Sequence, residues 1–340
     1  MNNSSGIFHH INANQSPIIP LVNLTANIPV PLLPVWGYDA ILTTVCSVLT
    51  FTLNSFIASI LLTHSELRSS FSVYLITLLI FDALLCLHGW LNIARKQFPS
   101  SMANITLCDF RSYVSWVITG IPLNLHVLIA VNRVWAIAFP YSYKNRHSNW
   151  LAIALTFVVV AYVHIICLPG VIMNALYYRL PFETDGCQVN TDPGPMMAWD
   201  QLVMLLIYEF PIVFMAVAWI YVAIKQKQRR NAIANATTTA QLSAVTSAAQ
   251  KTGGRRGQYS TGFLVFSVLT ASAILCWTPY ETYYTVWAFI PDLTEADRRF
   301  VNLCLALYLF QPVLDPLLTV VTMKDLRRVI AEGFLGCIRK

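Results

Sequence analysis

Long apolar runs alternate with short polar connections over most of the chain. A helix needs about 20 apolar residues to cross the roughly 30 Å hydrocarbon core of a bilayer. The segments that meet this length are Ile41–Leu62, Val73–Ala94, Tyr113–Ala138, Trp150–Leu176, Met197–Ile224, Gly262–Ile290 and Val301–Thr322. The pattern therefore predicts an all-α membrane protein, with a bundle of seven transmembrane helices within residues 37–322.

A different periodicity follows the last apolar segment. Within Lys324–Leu335, the apolar residues Leu326, Val329, Ile330 and Phe334 share one helical face, opposite Lys324, Arg327 and Arg328. This pattern is typical of a helix that lies in the membrane interface. Residues 323–340 are predicted to form this amphipathic helix and a short tail, in which Cys337 is a candidate for palmitoylation.

Composition supports the membrane assignment. The chain has 340 residues, of which 56% are hydrophobic and only 11% are charged, whereas soluble domains carry about 25% charged residues. In a soluble protein the net charge of +6 would indicate an anionic partner. Here it is better explained by a basic cytoplasmic face, and no nucleic-acid partner is predicted.

Charge and glycosylation sequons agree on the orientation. With the N-terminus outside, sixteen Lys and Arg residues fall on the cytoplasmic side and six on the outer side, as the positive-inside rule requires. Residues 1–36 form a polar tail that is predicted to be extracellular and glycosylated. The candidate sequon asparagines are Asn2, Asn3, Asn14, Asn23 and, before the third segment, Asn104. We therefore expect a multi-pass protein of the plasma membrane.

Two of the eight cysteines fall on the outer side, where disulfides persist. Cys108 precedes the third segment, and Cys187 lies between the fourth and fifth. A bridge between them would tie that connection over the top of the bundle. No Cys/His cluster has the spacing of a zinc site.

Arg133 is a charge at the end of the apolar run Val127–Val131. Such a charge either extends to the lipid headgroups or has a function. Polar and proline residues elsewhere bear on this choice, because they occur in a fixed order with about one motif in each predicted helix. In chain order they are Asn54, Asp82, Cys108 at 25 residues before Arg133, Trp150, Pro211, Cys276-Trp277-Thr278-Pro279 and Asp315-Pro316-Leu317-Leu318-Thr319. In these motifs, residues from about 38 to 336 resemble a rhodopsin-type (class A) G-protein-coupled receptor.

The resemblance implies a receptor that binds an extracellular ligand and activates a heterotrimeric G protein through movement of helix six. Receptor kinase and arrestin are further implied partners. The residues implied in switching and coupling are Asn132, Arg133, Trp277, Pro279, Asp315 and Pro316. No cofactor is implied beyond a sodium ion between Asp82 and Asp315, and Pro122 stands where the family's sodium site has a serine.

Several switch positions depart from the family pattern. Asn132 replaces the acid before Arg133, and Val134 replaces the tyrosine after it. Trp219, Ala273 and Thr319 replace aromatic residues of helices five, six and seven. Two interpretations remain: elevated basal activity with altered coupling, or a receptor-like protein that signals poorly.

The ligand pocket is expected between the helices on the outer side. The candidate lining residues are Arg111, Ser115, Trp116, Thr119, Asp200, Trp277, Glu281 and Tyr284. Ser115 stands where amine receptors carry an aspartate, and Val301–Thr322 lacks the lysine of a visual pigment. Because acids dominate the rim, we favour a basic or amphipathic peptide such as a neuropeptide, with a small cationic metabolite as the alternative.

On the cytoplasmic side, residues 226–260 are basic at both ends and rich in Ala, Thr and Ser between them. We interpret this segment as a mobile third loop that can be phosphorylated. A membrane binder or scavenger that does not signal is the second functional class. A transporter is a distant third, since the two halves show no repeat. An enzyme is not predicted, because the sequence has no nucleophile–base constellation.

Overall fold

The computed structural model describes residues 37–97, 104–180, 187, 189–190, 195–243, 256–289 and 298–338. All regular elements in these ranges are helical. They are α1 (Tyr38–Thr63), a 3-10 turn (Ser65–Leu67), α2 (Ser70–Gln97), α3 (Ile105–Tyr113), a π turn (Val114–Ile118), α4 (Gly120–Ala138), α5 (Pro140–Arg146), α6 (Asn149–Met173), a π turn (Asn174–Tyr178), α7 (Pro195–Val203), a π turn (Met204–Glu209), α8 (Phe210–Ser243), α9 (Arg256–Phe289), α10 (Arg298–Thr322) and α11 (Lys324–Ile338).

Six helices within the described ranges are long and apolar enough to cross a membrane. They are Tyr38–Thr63, Ser70–Arg95, Ile105–Ala138, Asn149–Tyr178, Met196–Arg229 and Arg299–Thr322. These six helices coincide with six of the seven predicted apolar segments. The remaining one, the sixth segment Gly262–Ile290, lies almost entirely in α9. That helix packs against α10, α8 and α4. The protein is a helical membrane bundle.

The third span, Ile105–Ala138, is the centre of the bundle. In its apolar window 78% of residues are buried, whereas the corresponding share in the other spans is between 22% and 44%. Its second half, α4, contacts α2, α6, α8 and α9. A polar side chain on this helix therefore meets protein instead of lipid, and its partners have to come from neighbouring helices.

Pro316 leaves one backbone carbonyl of α10 without its usual helical donor. The carbonyl of Pro312 would accept from the amide four residues later, but that residue is Pro316, which has no N–H. The Nδ2 of Asn54 on α1 donates to this carbonyl at 2.7 Å and to the Thr50 carbonyl at 2.8 Å. Because lipid offers no alternative partner, Asn54 fixes α1 against the kinked part of α10.

The same arrangement occurs where the π turn Met204–Glu209 meets α8. Pro211 removes the donor for the Ile207 carbonyl, and the Nδ2 of Asn124 on α4 donates to this oxygen at 3.1 Å. The adjacent Leu206 carbonyl accepts from the hydroxyl of Tyr162 at 3.1 Å. Side chains of two other spans therefore hold this irregular turn in place.

The helices also reach into segments that were predicted to be loop. Of the predicted mobile loop 226–260, the part to Ser243 continues α8 and the part from Arg256 begins α9. Its phosphorylation candidates between 244 and 255 lie outside the described residues, as do the sequon asparagines of the tail 1–36. Residues Lys324–Ile338 form α11, which includes Cys337.

Candidate functional site

The predicted disulfide between Cys108 and Cys187 is present and buried, which confirms that prediction. Next to it, Arg111 donates to the Cys187 carbonyl at 2.5 Å and to the Asn92 Oδ1 at 2.9 Å. The guanidinium therefore braces the bridged connection against α2. This is a structural task for a side chain that was predicted to line the ligand pocket.

A polar relay continues from Arg111 towards Ser115. Since the Asn92 oxygen accepts from Arg111, its Nδ2 is the atom that donates to His88 Nε2 at 2.8 Å. His88 then carries its proton on Nδ1, which lies 3.2 Å from the Ser115 hydroxyl. Asn92 and His88 of α2 thereby join the predicted pocket residues Arg111 and Ser115. Neither belongs to a motif of the sequence.

Aromatic residues form the wall beside this relay. The rings of Trp116 and Trp199 lie 4.9 Å apart, and the Trp199 indole donates to the Ile166 carbonyl at 3.2 Å. A Cβ at position 170 would lie 1.9 Å from the Trp199 ring, so only glycine permits this approach. Thr119 is 3.1 Å from the Tyr208 hydroxyl. Trp116 and Thr119 are thus both held by neighbouring spans.

Acidic side chains are buried in the half of the bundle that contains the disulfide. Glu281 on α9 is 4% exposed and interacts electrostatically with Glu209 at the end of a π turn. Asp200 is also buried, and among the described residues its Oδ1 has no hydrogen-bond partner. Tyr208 and Tyr308 are within the electrostatic reach of Glu281. Glu281 and Glu209 thus form a pair of carboxyl groups near two tyrosine rings.

Trp277 lies in the core, one helical turn before Glu281 in α9. Its ring contacts His126 at 5.9 Å, edge to face, and Tyr308 at 6.2 Å. Tyr308 stacks on Tyr280 at 4.5 Å, and Tyr280 contacts the predicted pocket residue Tyr284 at 4.7 Å. A small pocket lined by residues of α1, α2, α9 and α10 reaches both Trp277 and Tyr308. This aromatic group packs against the part of α9 next to Pro279.

The two core acids have different surroundings. Asp315 accepts from His126 Nε2 at 3.0 Å and from Gln311 Nε2 at 2.8 Å. Asp82 is fully buried and near enough to Asp315 to repel it, yet in the described ranges neither of its oxygens has a hydrogen-bond partner with normal geometry. The partner His126 was missed in the sequence, although a lone histidine in the middle of an apolar helix was a visible signal.

At the end of the third span that lies away from the disulfide, Arg133 packs over an aromatic ring. Its guanidinium carbon lies 3.5 Å from the centre of the Phe71 ring, a cation–π contact that replaces the ion pair expected in this family. No carboxylate among the described residues forms an ion pair with it. The side chain is placed where the resemblance put it, but its neighbour is different.

Asn132 belongs to a neutral cluster beside Arg133. Its Nδ2 lies 2.9 Å from His147 Nε2 and 3.4 Å from the Tyr74 hydroxyl, and Tyr143 donates to its Oδ1 at 3.3 Å. The rings of Tyr143 and His147 stack at 4.4 Å. Burial, and then the charge of Arg133, lower the pKa of His147. The cluster ties α4 to α2 and to the short helix α5 without any acid.

The four other side chains that depart from the family pattern bond within their own helix or pack against apolar neighbours. Thr319 donates to the Asp315 carbonyl of its own helix at 2.7 Å, and Ala273 is fully buried. Trp219 is 38% exposed on the apolar surface of α8, and Val134 packs at the edge of the core. None of these four side chains is a hydroxyl partner for Arg133.

Comparison with known families bears on the whole arrangement. The model of the 7 transmembrane receptors of the rhodopsin family matches residues 53–318, which is more than half of the chain. No curated protein matches the chain. The matched range contains the disulfide, the buried acids of α2 and α10, Trp277 and Arg133. The protein therefore belongs to the rhodopsin family of seven-transmembrane receptors.

Proposed function

We propose that the protein is a plasma-membrane receptor that binds an extracellular, positively charged ligand and activates a heterotrimeric G protein. A basic or amphipathic peptide is the favoured ligand. The proposal places the N-terminus outside, in agreement with the excess of Lys and Arg on the opposite side. It also makes Asn104, an exposed residue at the start of α3, a glycosylation site on the outer surface.

The observation that carries the ligand proposal is the pair of acids Glu281 and Glu209. Both are close enough to repel each other, and Glu281 is almost completely buried one turn above Trp277. Two carboxyl groups in low dielectric are unfavourable without a counter-charge. A ligand cation placed between them would relieve this repulsion, and the surrounding tyrosine rings would add cation–π attraction.

The route from ligand to G protein passes along α9. A ligand that neutralises Glu281 would change the packing one turn below, where Trp277 contacts His126 and Tyr308. Pro279 lies inside α9, and a proline is a usual site of helix bending. Bending there would move the cytoplasmic half of α9 away from α4 and open the surface around Arg133.

The remaining partners belong to the same proposal. Receptor kinase and arrestin would act on the segment 226–260, and α11 would lie on the bilayer with Cys337 as its palmitoylation site.

A receptor-like binder that does not signal is the second candidate. The observation that favours it is the neutral cluster around Asn132, because the usual acid beside Arg133 and its usual tyrosine partners are absent from the sequence. In this alternative, ligand binding would persist without any nucleotide exchange.

The experiment is a ligand screen on cells that express the wild-type receptor or Glu281→Gln. Basic peptides and organic cations are compared with neutral and acidic compounds, and both ligand binding and G-protein nucleotide exchange are measured. We expect basic compounds to stimulate exchange, and Glu281→Gln to weaken them about tenfold, the loss of one charge-assisted contact. Binding without exchange would favour the scavenger, and selective response to acidic ligands would refute the proposed ligand class.

A further inference from the structure

The buried contact between His126 and Asp315 joins two spans that are far apart in the sequence. Both side chains are almost completely inaccessible, at 1% and 0% exposure, and their atoms Nε2 and Oδ2 lie 3.0 Å apart. A carboxylate can only accept, so the imidazole Nε2 carries the hydrogen and donates. Charge-assisted hydrogen bonds of this kind are about twice as strong as neutral ones.

Family membership implies a sodium ion between Asp82 and Asp315. Such an ion needs free oxygen ligands on both acids and on the neighbouring helices. Both oxygens of Asp315 already accept, one from His126 and one from Gln311. The hydrogen that His126 directs at Asp315 Oδ2 would lie close to a cation bound to that oxygen and repel it. Pro122 offers no hydroxyl ligand. These residues do not fit a sodium ion that bridges the two acids.

We propose that His126 takes the place of the sodium ion in this receptor, by donating from its ring to Asp315 and so tying the third span to α10. A histidine side chain of this receptor thus fills the role that the family assigns to a bound sodium ion. The tie runs from the central helix of the bundle to the kinked helix that Asn54 holds on its other side. It also lies against Trp277, since the His126 ring contacts the indole edge to face.

The proposal predicts how the stability of the receptor depends on sodium. In the wild type, exchanging sodium for choline at constant ionic strength should leave the unfolding temperature unchanged. In His126→Leu, Asp315 keeps the Gln311 donor but loses the one from His126, so it faces Asp82 with no partner from the third span. Sodium can then bind between the two acids and stabilise the folded protein by mass action.

The measurement is thermal unfolding of the purified receptor in detergent, in about 0.15 M sodium chloride and in choline chloride at the same concentration. We expect a difference below about 1 °C for the wild type and for His126→Gln, whose amide can replace the Nε2 donor, and a rise of roughly 3 °C in sodium for His126→Leu. His164→Leu is the matched control. His164 is a half-buried histidine that contacts Tyr113 at 3.0 Å, and its loss should create no response to sodium.

Two results would overturn the proposal. The first is a sodium-specific rise in the wild type that disappears in Asp82→Asn, because the ion would then bind despite His126. The second is a His126→Leu protein that is folded but does not respond to sodium. If His126→Leu does not fold, His126→Ser replaces it with the same expectation, since it also removes the donor and leaves a hydroxyl that can bind an ion.

Discussion

Replacing Asn132 with alanine tests whether the neutral cluster holds the receptor in its resting arrangement. The amide of Asn132 has one contact of good geometry, with His147 at 2.9 Å, and two long ones, with Tyr143 at 3.3 Å and Tyr74 at 3.4 Å. The side chain is buried. Removing one well-formed buried hydrogen bond and two weak ones costs about 1 to 2 kcal/mol.

This free energy sets the size of the expected effect on signalling. If these contacts exist only while α5 is held against α4 and α2, their loss shifts the equilibrium towards the active arrangement by roughly 5- to 30-fold. The assay is ligand-free nucleotide exchange on a purified G protein by receptor in lipid nanodiscs. Asn149→Ala is the matched control, because the Asn149 side chain also bonds α2, by accepting from Ser70 at 2.7 Å, but is exposed. Unchanged basal exchange in Asn132→Ala, or an equal rise in Asn149→Ala, would refute the reasoning.

Three further predictions concern the rest of the bundle. Asn54→Ala leaves the Pro312 carbonyl without a donor and should lower the unfolding temperature by about 3 to 8 °C, measured by thermal unfolding in detergent. Cys108→Ser removes the disulfide to Cys187 and should lower the fraction of receptor that reaches the cell surface, measured by flow cytometry. Because burial and Arg133 lower the pKa of His147 below its ordinary value of 6.5, its ring stays neutral and the cluster intact at pH 6.5, and the cluster weakens as the pH falls through the lowered pKa. Basal exchange should therefore rise on acidification, and His147→Phe, which keeps the stacked ring, should remove this pH dependence.

The positions of the spans were predictable because bilayer thickness fixes the length of an apolar segment. The Cys108–Cys187 bridge was predictable too, because topology left only these two cysteines together on the outer side. Neither inference needs to know how the helices pack against each other.

Side-chain partners were not predictable from the same patterns. His126 and Asp315 are 189 residues apart, and their contact depends on how two spans are rotated towards each other. Arg111 was predicted to line the pocket from helical spacing alone, whereas its bond to the Cys187 carbonyl depends on where the disulfide places that carbonyl. The role of Asn54 depends on a carbonyl freed by Pro316, which becomes visible only when the partner of each backbone group is traced.

The proposed function depends above all on whether this receptor activates a G protein through the surface around Arg133. Its most direct test is nucleotide exchange on a purified heterotrimeric G protein, catalysed by the receptor in nanodiscs and compared with Arg133→Ala at equal receptor concentration. We predict exchange above the receptor-free rate for the wild type, increased by a basic ligand, and a fall to the receptor-free rate for Arg133→Ala. Equal exchange by both proteins, or no exchange by folded wild type with its ligand bound, would contradict the account.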